Sequence, residues 1–456
     1  VGTVVAVAEP EARQEDSPRP GWSPVTRIAF RFCFLYFGLF CLTYPQPVTV
    51  FLGWAIRWLP EDAVMWQAHV LEPLLRRVGR GVFGVDAAVR DTGSGDQAVF
   101  WVLLFCLLVV SVVGTLVWSV VDRSARDHRR LAGWFLLFIR MCVGGQMLFY
   151  GFAKMIPTQM PEPGLATLLE PFGNLAPMGV LWNQVGVSQP YEILLGTAEV
   201  LAGLLLFVPR TALLGAMLAV ISMAQVFVLN MTFDVPVKIL SGHLLLMGLV
   251  LLAPEARRLF EVLVANRTAP PSHAPYPFRT RRGRRWAAVG QAALAAWLLA
   301  ALIPLSWQAW EELGPHRERP PLYGIWTVAE FTRDGQPVPP LLTDETRWRR
   351  IVFDQPEIME YQRIDGELVP LRARVDTDAR RLDLAPADNA GDYRPGSSRH
   401  GDMSGSLTYQ RPTPDRLVLD GQLDGRPVTV TLDRLDPDSF PARGRGFHWV
   451  QEGATF

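Results

Sequence analysis

Apolar residues gather in seven long runs over the first two thirds of the chain and break into short alternating stretches over the last third. The runs lie at about 25–44, 99–121, 131–156, 191–208, 213–230, 237–253 and 286–305. Each is near the ~20 residues that carry a helix across a bilayer. The alternating stretches, within 320–456, read GIWTVAEF, RWRRIVF, IMEYQRID, LVPLRARV, SGSLTYQ, RLVLDGQL, RPVTVTLDRL and RGFHWV. Turn dipeptides separate many of them, among them Asp365-Gly366, Pro414-Asp415 and Asp424-Gly425. Eight or nine short strands at ~8–12 residue spacing predict an antiparallel barrel or sandwich. The expected fold is a polytopic all-α membrane bundle of about seven spans with a C-terminal all-β domain.

The segments between the runs refine this. Residues 1–24, rich in Pro, Glu, Asp and Arg, read as a disordered tail with no secretory signal after it. Residues 25–130 hold two spans joined by a long loop, in which FLGWAIRWL and VLEPLLRRVGRGVF read as interfacial amphipathic helices. The loop ends in TGSGD at 92–96, a turn signal. Residues 131–255 hold four spans, 256–285 form a basic linker, and 286–310 hold the seventh span. Arginines cluster at 122–130, around 210 and over 254–286, whereas 157–189 contains neither Lys nor Arg. The positive-inside rule then puts the N-terminus in the cytoplasm and the β-domain outside, as in a bacterial inner-membrane protein.

Within the third run, Arg140, Gly144, Met147, Gly151 and Lys154 share one helical face. A cation at membrane depth faces a bundle interior or a wet cavity, and glycines let a second helix come close. Glu192, Gly196, Glu199 and Gly203 make a matching stripe on the fourth run. Counting ~1.5 Å per residue from the ends predicted to be cytoplasmic, Arg140, Glu199 and His243 share the middle of the membrane. The same count puts Lys154, Glu192, Asn230, Asp234 and Lys238 near the outer boundary. The expected pairs are Arg140 with Glu199 and Lys154 with Glu192. The inner pair reads as a register-fixing contact and the outer level as the candidate site. His243, alone on an apolar face, reads as a hydrogen-bonded core residue or a member of the site.

Composition removes several classes. Formal net charge is zero, with 44 basic and 44 acidic residues, which argues against bulk nucleic-acid binding. The four cysteines all lie in apolar runs and form no CxxC, so a redox motif, a disulfide framework and a zinc site lack support. No nucleotide loop, haem CxxCH or GxSxG is present.

The combination of Arg140, Gly144 and Phe149-Tyr150-Gly151-Phe152-Ala153-Lys154, followed by Glu199-Val200-Leu201-Ala202-Gly203, resembles the DoxX family over roughly 131–255. The resemblance implies a four-helix membrane core and a place among membrane redox systems, with quinone as the implied cofactor. LFYGFAKM is also similar to a helix of vitamin-K-dependent carboxylase-like membrane proteins, by which Lys154 would be a catalytic base. Gly324-Ile325-Trp326 is similar to the GxW that opens lipocalin-like barrels. The expected activity is that of a quinone-linked redox protein or accessory subunit, with membrane lipid as a partner. A structural subunit docking to a larger membrane complex through the β-domain, and a carrier of a lipophilic ligand, are the alternatives.

Overall fold

The computed structural model describes residues 21–453 apart from 270, 273, 279, 316 and 388–402. Most of the tail expected over 1–24 therefore lies outside the described residues.

Among the described residues, seven helices are long and apolar enough to cross a membrane. They are α1 (Pro24–Thr43), α3 (Ala98–Val121), α4 (Arg129–Met155), α6 (Gln189–Phe207), α7 (Ala212–Thr232), α8 (Lys238–Leu252) with its continuation α9 (Ala256–Leu263), and α10 (Arg281–Leu313). Between α1 and α3, 3₁₀ turns over Thr49–Trp58 lead to α2 (Trp66–Val78), whose Trp66, Val70 and Leu74 are exposed. The region expected to be a plain loop over 157–189 contains a further helix, α5 (Pro177–Gly186). Exposed Val112, Leu116 and Val120 on α3 make an apolar flank suited to lipid, as expected of a multi-pass membrane protein.

Sequential antiparallel packing builds the core, and α4 with α6 forms its closest seam. Gly144 meets Phe207, Gly203 meets Leu148, and Gly151 meets Val200 and Glu199. Gly196 lies directly on the backbone of Met155 and Gly151, where any Cβ would collide. The two glycine stripes therefore fix the register between the helices. A second packed layer joins α1, α3, α4 and α8 through Phe40, Leu103, Ile139, Val143 and Leu244, all nearly inaccessible.

The C-terminal domain is a closed antiparallel barrel. The strands are β1 (Gly324–Arg333), β2 (Gln336–Pro337), β3 (Trp348–Phe353), β4 (Ile358–Arg363), β5 (Leu368–Asp376), β6 (Arg381–Pro386), β7 (Gly405–Thr413), β8 (Arg416–Leu423) and β9 (Arg426–Leu435). The eight strands β1 and β3–β9 form the wall, β1 pairs with β9 to close it, and β2 is a short addition to β1. Closure removes the unpaired edges of an open sheet. Trp326, Trp348, Phe353, Met359 and Leu432 pack together at 0–1% exposure and give the barrel a side-chain core. Asp424 and Gly425 both take positive φ, +49° and +74°, as a tight two-residue hairpin requires. Two strand expectations change. RGFHWV is not a strand, and its Phe447, Trp449 and Val450 stand exposed. RLDLAP, absent from the expected strands, is β6, inserted between β5 and β7.

The barrel rests on the segment between α4 and α5. Leu165, Ala166 and Leu169 pack against Ile325, Val352 and Leu368 on its outer wall. The Leu165 N–H donates to Asp354 Oδ2 at 2.9 Å, Arg317 pairs with the same carboxylate, and Gln362 Nε2 donates to the Leu169 carbonyl at 3.2 Å.

Candidate functional site

Lys154 Nζ donates to both oxygens of Glu199, at 2.9 and 2.8 Å. Lys154 is 5% and Glu199 2% exposed, so the pair is shielded from water on nearly every side. The α4–α6 glycine register produces this contact: Gly151 brings the α4 backbone against Glu199 Cβ, and Lys154 follows one turn later. Lys154 also lies 5.8 Å from the Tyr150 ring, whose hydroxyl donates to Gln46 Oε1 at 3.0 Å.

The pair borders a cavity of about 220 Å³ between α4, α5, α6, α7 and α8. Most of its wall is apolar, including Leu181, Val226, Leu229 and Leu244. Polar groups stand at intervals: Asn230 Nδ2 donates to Ser241 Oγ at 3.0 Å, and Trp182 Nε1 donates to the Gln159 carbonyl at 2.9 Å. Gln159 and Met160 also line the cavity, and the Met160 N–H donates to Glu192 Oε1 at 2.9 Å. Glu192 is fully buried, and among the described residues its Oε2 has no partner. An apolar chamber with a few convergent polar groups is the general form of a small-molecule site.

The expected pairings are corrected. Arg140 does not meet Glu199, because α6 ends at Phe207, which already faces Gly144. One turn beyond, Arg140 reaches past the end of α6 to Gln291 on α10. Lys154 lies fourteen residues further along α4, ~21 Å of helix, and takes Glu199 instead. Glu192, two turns from Glu199, holds the Met160 backbone rather than Lys154. Of the remaining expected residues, Asn230 lines the cavity. Asp234 and Lys238 do not; they pair with each other at 2.8 Å, with Asp234 largely exposed. His243 is a core residue: it lies on Phe40 with ring centroids 4.0 Å apart. Its Nδ1 donates to the Ile239 carbonyl at 2.7 Å and its Nε2 is 3.0 Å from the Tyr36 hydroxyl.

Three further residues carry more than the sequence reading gave them. Asp96, read only as part of a turn, accepts the N–H groups of Lys238 and Ile239 at 2.8 and 2.9 Å and so caps α8. Arg31, inside the first span, is buried and donates to Ser119 Oγ at 2.9 Å and the Asp122 carbonyl at 3.0 Å. Gln291 interrupts an otherwise apolar run, and a polar side chain at that depth is a signal of an interhelical partner.

No model of a known protein family matches the chain, and no solved structure matches it. It is 32% identical over 119 residues to "Uncharacterized protein YwoB" of Bacillus subtilis (strain 168). That alignment spans 26% of this chain and 75% of the relative. The chain therefore belongs to the same family as YwoB.

Proposed function

We propose that the protein binds the headgroup of a lipophilic quinone beside Lys154 and Glu199 and serves a membrane redox system, as a quinone-linked protein or its accessory subunit with a DoxX-like core of α4, α6, α7 and α8. The supporting observation is the buried Lys154–Glu199 pair on the wall of a mainly apolar cavity. At about 220 Å³ the cavity is smaller than the ~300–1,000 Å³ typical of whole drug-sized ligands, so it suits a ring-sized headgroup with its tail outside. A quinone supplies two-electron, two-proton redox chemistry and carbonyl oxygens that accept hydrogen bonds. Lys154 has three N–H donors and gives two to Glu199, which leaves one for a ligand oxygen. Asn230 and Ser241 offer polar contacts across the chamber. The arginine asymmetry supports a bacterial inner-membrane setting with the N-terminus cytoplasmic and the barrel outside.

Purified full-length protein should retain extractable quinone, or bind added short-chain quinone with saturation, and Lys154→Ala should abolish it. Absence of quinone from both preparations together with no saturable binding would falsify the reading. A second reading, a subunit that docks into a larger membrane complex, draws on exposed Phe447, Trp449 and Val450 beyond the last barrel strand. Loss of a co-purifying partner on removing residues 445–453, with quinone binding intact, would favour it.

A further inference from the structure

Arg140 is left over from the proposed site, and its surroundings are unusual for a buried cation. It is 9% exposed, and among the described residues its partner is the neutral amide oxygen of Gln291. Its Nε has no partner among them. A buried guanidinium without a carboxylate is costly inside a membrane protein, so an anion or strong acceptor supplied from outside the chain would stabilise it.

Two adjoining apolar grooves run along the same seam between α4 and α10. One, of about 360 Å³, is lined by Phe51, Trp134, Phe138 and Leu294; the other, of about 190 Å³, reaches Gln291 and Phe278. Leu137, Met141 and Leu294 border both, so the two grooves adjoin, and Gln291, the partner of Arg140, lines the second. Above its end, α10 begins with Arg281, Arg282, Arg284 and Arg285, all exposed. Exposed Trp134 and Trp286 stand at this end of the two helices, as residues of an interfacial belt do. Arg140 lies six residues below Trp134, ~9 Å of helix. Helical side chains lean toward the N-terminus, and that direction carries its guanidinium back toward the belt. Gln291 Nε2, 3.5 Å from the Tyr276 hydroxyl, ties the same spot to the segment before α10.

We propose that this seam is a binding site for an anionic phospholipid. Its acyl chain lies in the groove along Leu137, Met141 and Leu294. Its phosphodiester meets the arginines that open α10, and Arg140 donates to an oxygen at the glycerol level. The apolar grooves suit an acyl chain, and the cations, which form no ion pair among the described residues, suit an acidic headgroup; together they select a lipid over a free anion and an acidic lipid over a zwitterionic one.

The test uses full-length protein in mild detergent, followed by thermal unfolding and native mass spectrometry. Phosphatidylglycerol, phosphatidylcholine with the same chains, and inorganic phosphate are added separately. Phosphatidylglycerol should raise the unfolding temperature by several degrees and remain bound in the mass spectrum, with neither effect from the other two. Arg140→Gln and Leu294→Trp, which fills the groove, should each lose most of the shift. An equal shift from phosphatidylcholine, or a full shift from phosphate alone, would overturn the proposal. A full phosphatidylglycerol shift in Arg140→Gln would do the same. Should that variant fail to fold, Leu294→Trp leaves the guanidinium intact, and a retained shift there is equally fatal.

Discussion

Replacing Lys154 by Met removes the cation but keeps most of the side-chain volume. Glu199 is then a carboxylate at 2% exposure with both oxygens stripped of their 2.8 and 2.9 Å donors. Breaking one side of a buried pair in this way costs about 3–5 kcal/mol, most of it from the orphaned charge. The double variant Lys154→Met/Glu199→Leu has no charge left to orphan. Replacing both members by apolar residues is often neutral or stabilising, so the double variant should recover most of the loss. The charge-reversed pair, Lys154→Glu with Glu199→Lys, should recover part of it, because the Gly151 and Gly196 contacts hold the two positions face to face. The assay is the midpoint of denaturant-induced unfolding in detergent, read by tryptophan fluorescence, beside quinone binding on the same samples. Stability should return in the double variant while binding does not. A single variant within ~1 kcal/mol of the parent, or a double variant no better than the single, would refute the claim that the pair is sealed from water.

Other consequences follow from the packing. Gly196→Ala places a Cβ on the Met155 and Gly151 backbone and Gly151→Ala places one 2.7 Å from Val200 N. Each should lose about 1–3 kcal/mol by overpacking, whereas Gly38→Ala, with nothing within 4 Å, should be neutral in the same unfolding assay. Asp96→Ala strips the cap from α8 and should cost ~0.5–2 kcal/mol, seen as faster hydrogen exchange of the Lys238 and Ile239 amides. An unchanged exchange rate at those two amides would rule out the capping role.

The apolar periodicity by itself determined the seven spans, because length and hydropathy are local properties that no packing can hide. It also determined most of the barrel, since alternating residues bounded by turn dipeptides have few other ways to bury one face. The glycine-and-charge stripes on α4 and α6 marked the surfaces that meet, and the polar residues of those stripes include the pair at the cavity. Closure of β1 on β9 and the insertion of β6 were not legible, because strand order depends on contacts far apart in sequence. The register was not legible either. Counting depth from helix ends treats all spans as equally placed, but α4 runs well past the end of α6. Only the tertiary contacts of Gly144, Gly151, Gly196 and Gly203 decide which charge faces which. They give Glu199 to Lys154, send Glu192 to the Met160 backbone, and leave Arg140 to Gln291, which lines a separate groove. Sequence stated which residues were too polar for their surroundings; the offset between two helices decided which partners they found.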